Sequence, residues 1–105
     1  MLEISPTKVA HIVLQAREKR RARAELHAFI GALNDDEKAS LVAIMWIGRD
    51  TFDAEDLQEA LDTARAEATV PTEDYLVSMP LLADYLEDGL EKLGISPGDA
   101  EDEFL

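Results

Sequence analysis

The chain has 105 residues, no cysteine, and a net charge of −13 from 23 acidic and 10 basic side chains. This length supports one compact domain, and the missing cysteine excludes disulfides, thiolate metal sites and cysteine nucleophiles. The acidic balance makes nucleic acid a poor partner for the molecule as a whole, because phosphates carry the same sign of charge.

The first predicted helix begins at Ser5, a good N-cap, with Pro6 at the first helical position. A second apolar helical face follows in residues 26–33, about 100° around the axis from the first. We therefore predict a break near residues 18–23, where the Arg-rich stretch REKRRAR lies. A single continuous helix is the alternative, because Arg, Lys, Glu and Ala all favour helix.

The third predicted helix carries the apolar run of residues 41–47. Asn34 is placed to cap it, and Glu37 three positions later completes a capping box. Gly48 follows the run and is expected to end the helix. The apolar surface runs all the way round, which is typical of a central helix enclosed by others.

Asp53 is the expected cap of a fourth helix, which Pro71 stops. A short helix of one or two turns follows within residues 71–79. The last helix begins at Pro80 and ends at Gly94. Its predicted apolar face consists of Leu81, Leu82, Tyr85, Leu86, Leu90 and Leu93.

No segment alternates with period two, so the sequence predicts no sheet. The expected fold is all-α: an irregular bundle of five to six helices around the central apolar helix. Residues 1–94 form the helical domain, and residues 95–105 form an acidic tail that we expect to be disordered.

Membrane and export signals are missing from the sequence. Residues 41–47 are the longest apolar run, far below the roughly 20 residues that a membrane helix needs. The first residues show no basic stretch followed by an apolar one. We therefore expect a cytoplasmic protein that makes no membrane contact.

Candidate metal and catalytic sites do not match known patterns. The acids of residues 50–62 fail the calcium-loop ligand spacing in both possible frames, and helix capping explains them better. His11 and His27 have no metal-site spacing, and the acids of residues 84–91 lack a Glu-x-x-His partner. We predict no catalytic residues, no metal ligands and no cofactor.

Charge is divided unevenly along the chain, with a net charge of +3 in residues 1–33 and −16 in residues 34–105. The basic run is a candidate contact for a phosphate or an acidic protein surface. In the alternative interpretation, these residues form an exposed helix face and pair with the chain's own acids. Its residues are Arg17, Lys19, Arg20, Arg21 and Arg23.

Trp46 lies inside the apolar run. We expect it in the core, where its indole N–H needs a hydrogen-bond partner. A ligand platform is the alternative for this side chain.

Three motifs carry a family resemblance: AFIGALN with the NDDEK cap, WIGRDTFD, and PLLADYLEDGL. Over residues 2–93 they make the chain similar to a bacterial family of small acidic proteins, of the DUF3775 type, that is classed only as a domain of unknown function. The resemblance implies an all-helical domain and no catalytic residues. The basic run stands where members of that family often have a longer acidic or polar segment.

These observations favour a non-enzymatic interaction or regulatory protein with an unknown protein partner. A homodimer would bury surplus apolar surface through Leu81, Leu82, Tyr85 and Leu86, or through the N-terminal helices. Two alternatives remain: a metal-dependent or small-molecule-binding enzyme with an unrecognised acidic site, and an acidic mimic of nucleic acid.

Overall fold

The structure, a computed structural model, describes residues 2–18, 23–67 and 70–95. Every regular element within these ranges is helical, which confirms the predicted all-α fold. A one-turn 3₁₀ helix, Ala54–Asp56, precedes the fourth α-helix. The α-helices are α1 Pro6–Arg17, α2 Arg23–Gly31, α3 Asp35–Gly48, α4 Leu57–Ala66, α5 Thr72–Val77 and α6 Leu82–Lys92.

The start of α1 and its separation from α2 agree with the sequence. The Ser5 hydroxyl accepts a hydrogen bond from the Lys8 backbone N–H at 3.1 Å, with Pro6 at the start of the helix. The rings of His11 and Phe29 lie 4.7 Å apart, centroid to centroid. One continuous helix would separate these residues by about 27 Å. The predicted break is confirmed: α1 and α2 are separate helices that pack against each other.

The N-terminus of α3 carries the predicted capping box. The Asn34 side chain accepts from the Glu37 backbone N–H at 2.7 Å, and the Glu37 carboxylate accepts from the Asn34 N–H at 3.0 Å. The Lys8 ammonium also bonds to this carboxylate. Lys8 first, and then the Asn34 N–H, lower the pKa of Glu37 against the opposing effect of burial. The box therefore ties the start of α3 to α1.

The remainder of α3 is the centre of the molecule, as predicted. Every residue from Ala39 to Gly48 is buried. α4, α5 and α6 pack around this helix, while α1 packs on α6 and α2, and α2 packs on α5. The largest fully buried side chains are Ile12, Ile30, Leu41, Ile44, Met45, Ile47, Leu61, Leu76, Leu86, Leu90, Val9 and Val13.

α3 ends at the predicted residue, but a different residue stops the helix. Gly48 is the last helical residue, and the left-handed conformation that stops the helix belongs to Asp50, with φ of 67°. The Thr51 N–H bonds to the Trp46 carbonyl at 2.8 Å, and the Asp50 N–H bonds to the Ile47 carbonyl at 3.1 Å. This pair of bonds is a Schellman motif, here with aspartate where glycine is commonest.

Gly48 has a different role, which it shares with Gly89 of α6. A Cβ on Gly48 would lie 1.7 Å from the Tyr85 carbonyl oxygen, and one on Gly89 would lie 2.1 Å from the Ile44 carbonyl oxygen. Only glycine allows such an approach. The backbones of α3 and α6 therefore touch directly.

The second half of the chain follows the predicted order with shifted boundaries. Asp53 precedes the 3₁₀ helix but makes no side-chain capping hydrogen bond, and α4 ends before it reaches Pro71. α6 begins two residues after Pro80, because Leu81 adopts a left-handed conformation with φ of 64°. Gly94, with φ of 78°, ends α6 as predicted.

The predicted tail meets the described domain at one residue. Ile95 packs against the core next to the end of α6, where its N–H bonds to the Leu90 carbonyl at 2.8 Å. Residues 96–105 lie outside the described ranges, so the expected disorder of the tail stays a prediction.

A candidate interaction groove between α3, α4 and α5

In the described part of the chain, an open groove lies between α3, α4 and α5. Its volume is about 660 Å³. Apolar side chains and Trp46 supply its floor, and charged side chains from α3, α4 and the α4–α5 connection stand at its rim, while α5 contributes a threonine and a tyrosine. The lining residues are Asp35, Asp36, Lys38, Ala39, Val42, Trp46, Ala64, Arg65, Glu67, Val70, Thr72 and Tyr75.

One stripe of α3 runs along the groove. Asp35, Ala39, Val42 and Trp46 are spaced by four, three and four residues, which places them on one face of an α-helix. All four line the cavity. The groove therefore runs parallel to α3, from its acidic first turn to its aromatic last turn.

Trp46 is held at its end of the groove by two contacts. Its indole N–H donates to the Tyr75 hydroxyl at 3.2 Å, and its ring lies 5.6 Å from the ring of Phe52, centroid to centroid. The indole is 9% exposed. The prediction of a core tryptophan whose N–H has a partner is confirmed, and the exposed part of this side chain faces a cavity.

The cations at the rim are paired within the chain. Arg65 of α4 bonds to the Asp36 carboxylate of α3 at 3.3 Å, and the Lys38 ammonium lies 3.8 Å from Glu73 of α5. The remaining acid of the α3 first turn, Asp35, has no such partner among the described residues.

Glu67 is the second acid at the rim without a partner in the described part of the chain. It is exposed and follows the last residue of α4. The uncompensated charge of the groove rim is therefore negative.

A second, more open depression lies between α2 and α5. Its volume is about 540 Å³, and it is lined by Arg23, Ala24, His27, Asp74 and Val77. His27 Nε2 lies 2.6 Å from the Asp74 carboxylate, on the surface. This contact joins the two helices. His27 is a surface histidine, as predicted.

The described residues of the predicted basic run, Arg17 and Arg23, do not line the groove. Arg17 pairs with Glu87 of α6 and lies 3.9 Å from Asp84, which is the expected alternative of pairing with the chain's own acids. Arg23 lines the second depression. The remaining candidates, Lys19, Arg20 and Arg21, lie outside the described residues.

The predicted dimer face is largely internal. Leu82 and Leu86 are buried in the core of the chain itself, at 4% and 0% exposure. Tyr85 is partly buried, while Leu81 is 60% exposed because it precedes the helix. On this face of α6, only Leu81 and part of Tyr85 remain accessible to a second copy of the chain. The leucines of the α6 face already pack against the neighbouring helices.

Among the described residues, no histidine, serine or cysteine lines the groove. Across residues 2–18, 23–67 and 70–95, no group of three or more histidine, aspartate or glutamate side chains is arranged to hold a metal ion. None of the described helices is long and apolar enough to cross a membrane.

Sequence reasoning missed the groove, although it singled out Trp46. An available signal was the stripe of Asp35, Ala39, Val42 and Trp46, where small side chains stand between an acid and a large aromatic ring. Small residues on a buried helix usually indicate close packing, as they do on α4. The open space follows from how three helices diverge, and the stripe alone does not reveal it.

The fold and the groove define a small all-helical domain with a largely apolar groove on its surface. Residues 23–95 match the family described as protein of unknown function (DUF3775). The chain belongs to this family, in agreement with the resemblance seen in its motifs. The match includes every element that lines the groove and leaves α1 outside. No curated protein matches the chain, and no solved structure does.

Proposed function

We propose that the protein is a non-enzymatic interaction domain whose groove between α3, α4 and α5 binds a short segment of a protein partner. The observation that carries this proposal is the groove itself: an apolar floor of Ala39, Val42, Trp46 and Ala64 beneath a charged rim. An apolar centre within a polar rim is the usual anatomy of a protein interface.

The partner that fits this groove is a segment with one large apolar side chain flanked by basic residues. A cavity of about 660 Å³ has room for such an anchor, and burying it against Trp46 and Val42 supplies affinity. The uncompensated rim charges, Asp35 and Glu67, are negative, and the whole chain carries −13. Charge complementarity therefore favours a cationic segment and speeds its association.

The experiment is a selection of displayed random 12-residue peptides against the purified protein. Val70 lines the groove and is 57% exposed, so Val70→Glu blocks the groove with little effect on folding. Leu14→Glu is the matched control, because Leu14 is an apolar residue of α1 that is 45% exposed and lies outside the groove. Circular dichroism and thermal unfolding establish that both variants fold.

We expect the enriched peptides to carry an apolar anchor with lysine or arginine near it. Their binding, followed by the emission of Trp46, is expected to weaken at least tenfold in Val70→Glu, a loss of about 1.4 kcal/mol. Leu14→Glu is expected to bind like the wild type. No enrichment, or equal binding to both variants, would contradict the proposal.

Small-molecule binding is the second candidate function, and the groove volume favours it. Ligand pockets commonly have volumes of roughly 300–1,000 Å³, a range that includes this groove. A thermal-shift screen with divalent metals, nucleotides and apolar acids separates the two functions, because a ligand that binds the folded state raises Tm. A rise of several degrees that Val70→Glu abolishes would favour the small molecule.

The cellular setting belongs to the proposal as well. We propose a bacterial cytoplasmic protein that binds neither membrane nor nucleic acid, since the chain carries a charge of −13 and lacks a long apolar run. An acidic surface of this kind also fits the role of a nucleic-acid mimic, which pull-down at low and high salt tests.

A homodimer is a further possibility within this proposal, and the exposed Leu81 supports it. Sedimentation at high micromolar concentration tests this idea. A monomer at that concentration would contradict it.

A further inference from the structure

We propose that the groove has a direction: its aromatic end receives an apolar anchor and its acidic end receives a lysine or arginine of the same segment. This inference rests on the proposed function and specifies the partner that the groove selects. The groove would then recognise an apolar side chain and a basic side chain that are a fixed distance apart in the partner.

The two ends are set apart by α3 itself. Asp35 opens α3 and Trp46 stands near its end, eleven residues later on the same face. At 1.5 Å per residue this separation is about 16 Å. An extended chain covers that distance in about five residues, at roughly 3.3 Å each.

The two acids that have no partner among the described residues, Asp35 and Glu67, stand at the same end of the groove. Asp35 is next to Asp36, and Glu67 is two residues after Arg65. The 3.3 Å contact between Asp36 and Arg65 holds these two stretches together. Asp35, in the first turn of α3, and Glu67, just after the end of α4, therefore flank the acidic end of the groove.

The carboxylates at the acidic end of the groove attract a cation, and the basic side chains nearby are already paired with other acids. Arg65 and Lys38 are engaged with Asp36 and Glu73. The positive end of the α3 dipole opposes an incoming cation, but the negative end of α4, which ends at Ala66 beside Glu67, offsets it. The net field from these groups attracts positive charge.

The aromatic end favours an apolar anchor. Trp46 and Tyr75 are joined by the 3.2 Å hydrogen bond between the indole N–H and the hydroxyl, so the indole donor needs no further partner. No charged residue of the lining lies in α3 between Lys38 and the end of the helix. An apolar side chain that packs here gains burial without leaving the indole N–H unpaired.

The probe is the peptide KKSGSGFL, with acetylated and amidated ends, in which five residue steps separate the second lysine from the phenylalanine. Its reverse, LFGSGSKK, covers the other chain direction. A single cysteine at either end of each peptide carries a nitroxide spin label. The protein has no cysteine, so the label stays on the peptide.

The readout is the loss of intensity of protein amide and indole signals in ¹⁵N spectra. A label at the lysine end is expected to broaden Asp35 and Glu67 most, and a label at the phenylalanine end is expected to broaden the Trp46 indole most. Uniform broadening, or the opposite assignment, would overturn the inference.

Charge-neutral variants provide a second readout. Asp35→Asn combined with Glu67→Gln is expected to weaken binding of the probe by about three- to tenfold, which is the range for two exposed ion pairs. Asp88→Asn combined with Glu91→Gln is the matched control, because it removes the same charge from exposed positions of α6 outside the groove. Equal weakening in both pairs would overturn the inference.

Failure of this inference is distinguishable from failure of the proposed function. If display-selected peptides bind the groove while KKSGSGFL and its reverse do not, the two-ended motif is wrong and the interaction groove stands. If neither the selected peptides nor the probes respond to Val70→Glu, both proposals are wrong.

Discussion

The two sides of α3 are built in opposite ways. On one side α6 lies so close that backbone atoms meet at Gly48 and Gly89. On the other side α4 and α5 diverge and leave a groove of about 660 Å³ above Ala39, Val42 and Trp46. Small residues occur on both sides, so residue size alone does not decide whether a helix surface is sealed. Whether a surface of α3 is closely packed or open depends on the path of the neighbouring helix.

Gly89→Ala tests the sealed side and has the largest expected effect. Its Cβ would lie 2.1 Å from the Ile44 carbonyl oxygen, and backbone cannot rotate away as a side chain can. We expect a loss of about 3 kcal/mol or more in the free energy of unfolding, measured by urea denaturation.

Gly31→Ala is the matched control for Gly89→Ala. Its Cβ would meet only the end of the Glu73 side chain, at 3.0 Å, so the expected change is within about 1 kcal/mol. A mild effect at Gly89 would show that α3 and α6 do not lie in backbone contact.

Glu37→Gln tests the N-terminus of α3, where both sides of the helix begin. Lys8 and the Asn34 N–H lower the pKa of Glu37 in the folded state below its ordinary value of 4.5. The carboxylate therefore stabilises the fold above about pH 4.5, and this contribution disappears as the pH falls through the lowered pKa.

We expect Glu37→Gln to lower the free energy of unfolding by about 1 kcal/mol at pH 7, the scale of a helix cap. The difference from wild type should vanish in acid. Glu91→Gln, an exposed position on α6, is the control and should change stability by less than about 0.5 kcal/mol. A pH-independent loss in Glu37→Gln would contradict the ionic role of this residue.

Tyr75→Phe tests the open side. It removes the acceptor of the Trp46 indole N–H, and we expect a loss of somewhat less than about 1 kcal/mol, because water in the groove replaces part of the bond. Urea denaturation followed by Trp46 emission measures it. Tyr85→Phe is the control, since the Tyr85 hydroxyl has no partner among the described residues. Equal effects in the two variants would show that the indole bond contributes nothing.

Arg17→Gln has the smallest expected effect and tests the contact of α1 with α6. Arg17 pairs with Glu87 at the surface, with both side chains about one third to one half exposed. We expect a loss of about 0.5 kcal/mol at low salt that disappears in 1 M salt. Arg49→Gln is the control, because Arg49 makes no ion pair within the described residues. Equal salt dependence in both variants would argue against the pair.

The sequence predicted those features that depend on near neighbours in the chain. Ser5 and Asn34 cap their helices through bonds that span only three residues, and residues 41–47 form the central helix because their apolar pattern has no polar side. The fold class followed from these local signals.

Features that depend on distant segments were not predicted. Gly48 was interpreted as a helix stop, because a sequence pattern does not show that α6 crosses at that position. Leu81 was assigned to the α6 face by its spacing, but its left-handed backbone moves it out of the helix. The groove was missed for the same reason: it is a space between three helices, and no single segment encodes it.

The glycine contact has a mechanical consequence. Since main-chain atoms of α3 and α6 meet at Gly48 and Gly89, sliding either helix by one residue would bring a Cβ into the partner's backbone. This contact fixes the register of the two helices relative to each other. If the groove binds a partner as proposed, we expect any adjustment of shape to occur in α4 and α5, because the contact between α3 and α6 leaves no room for one helix to slide along the other.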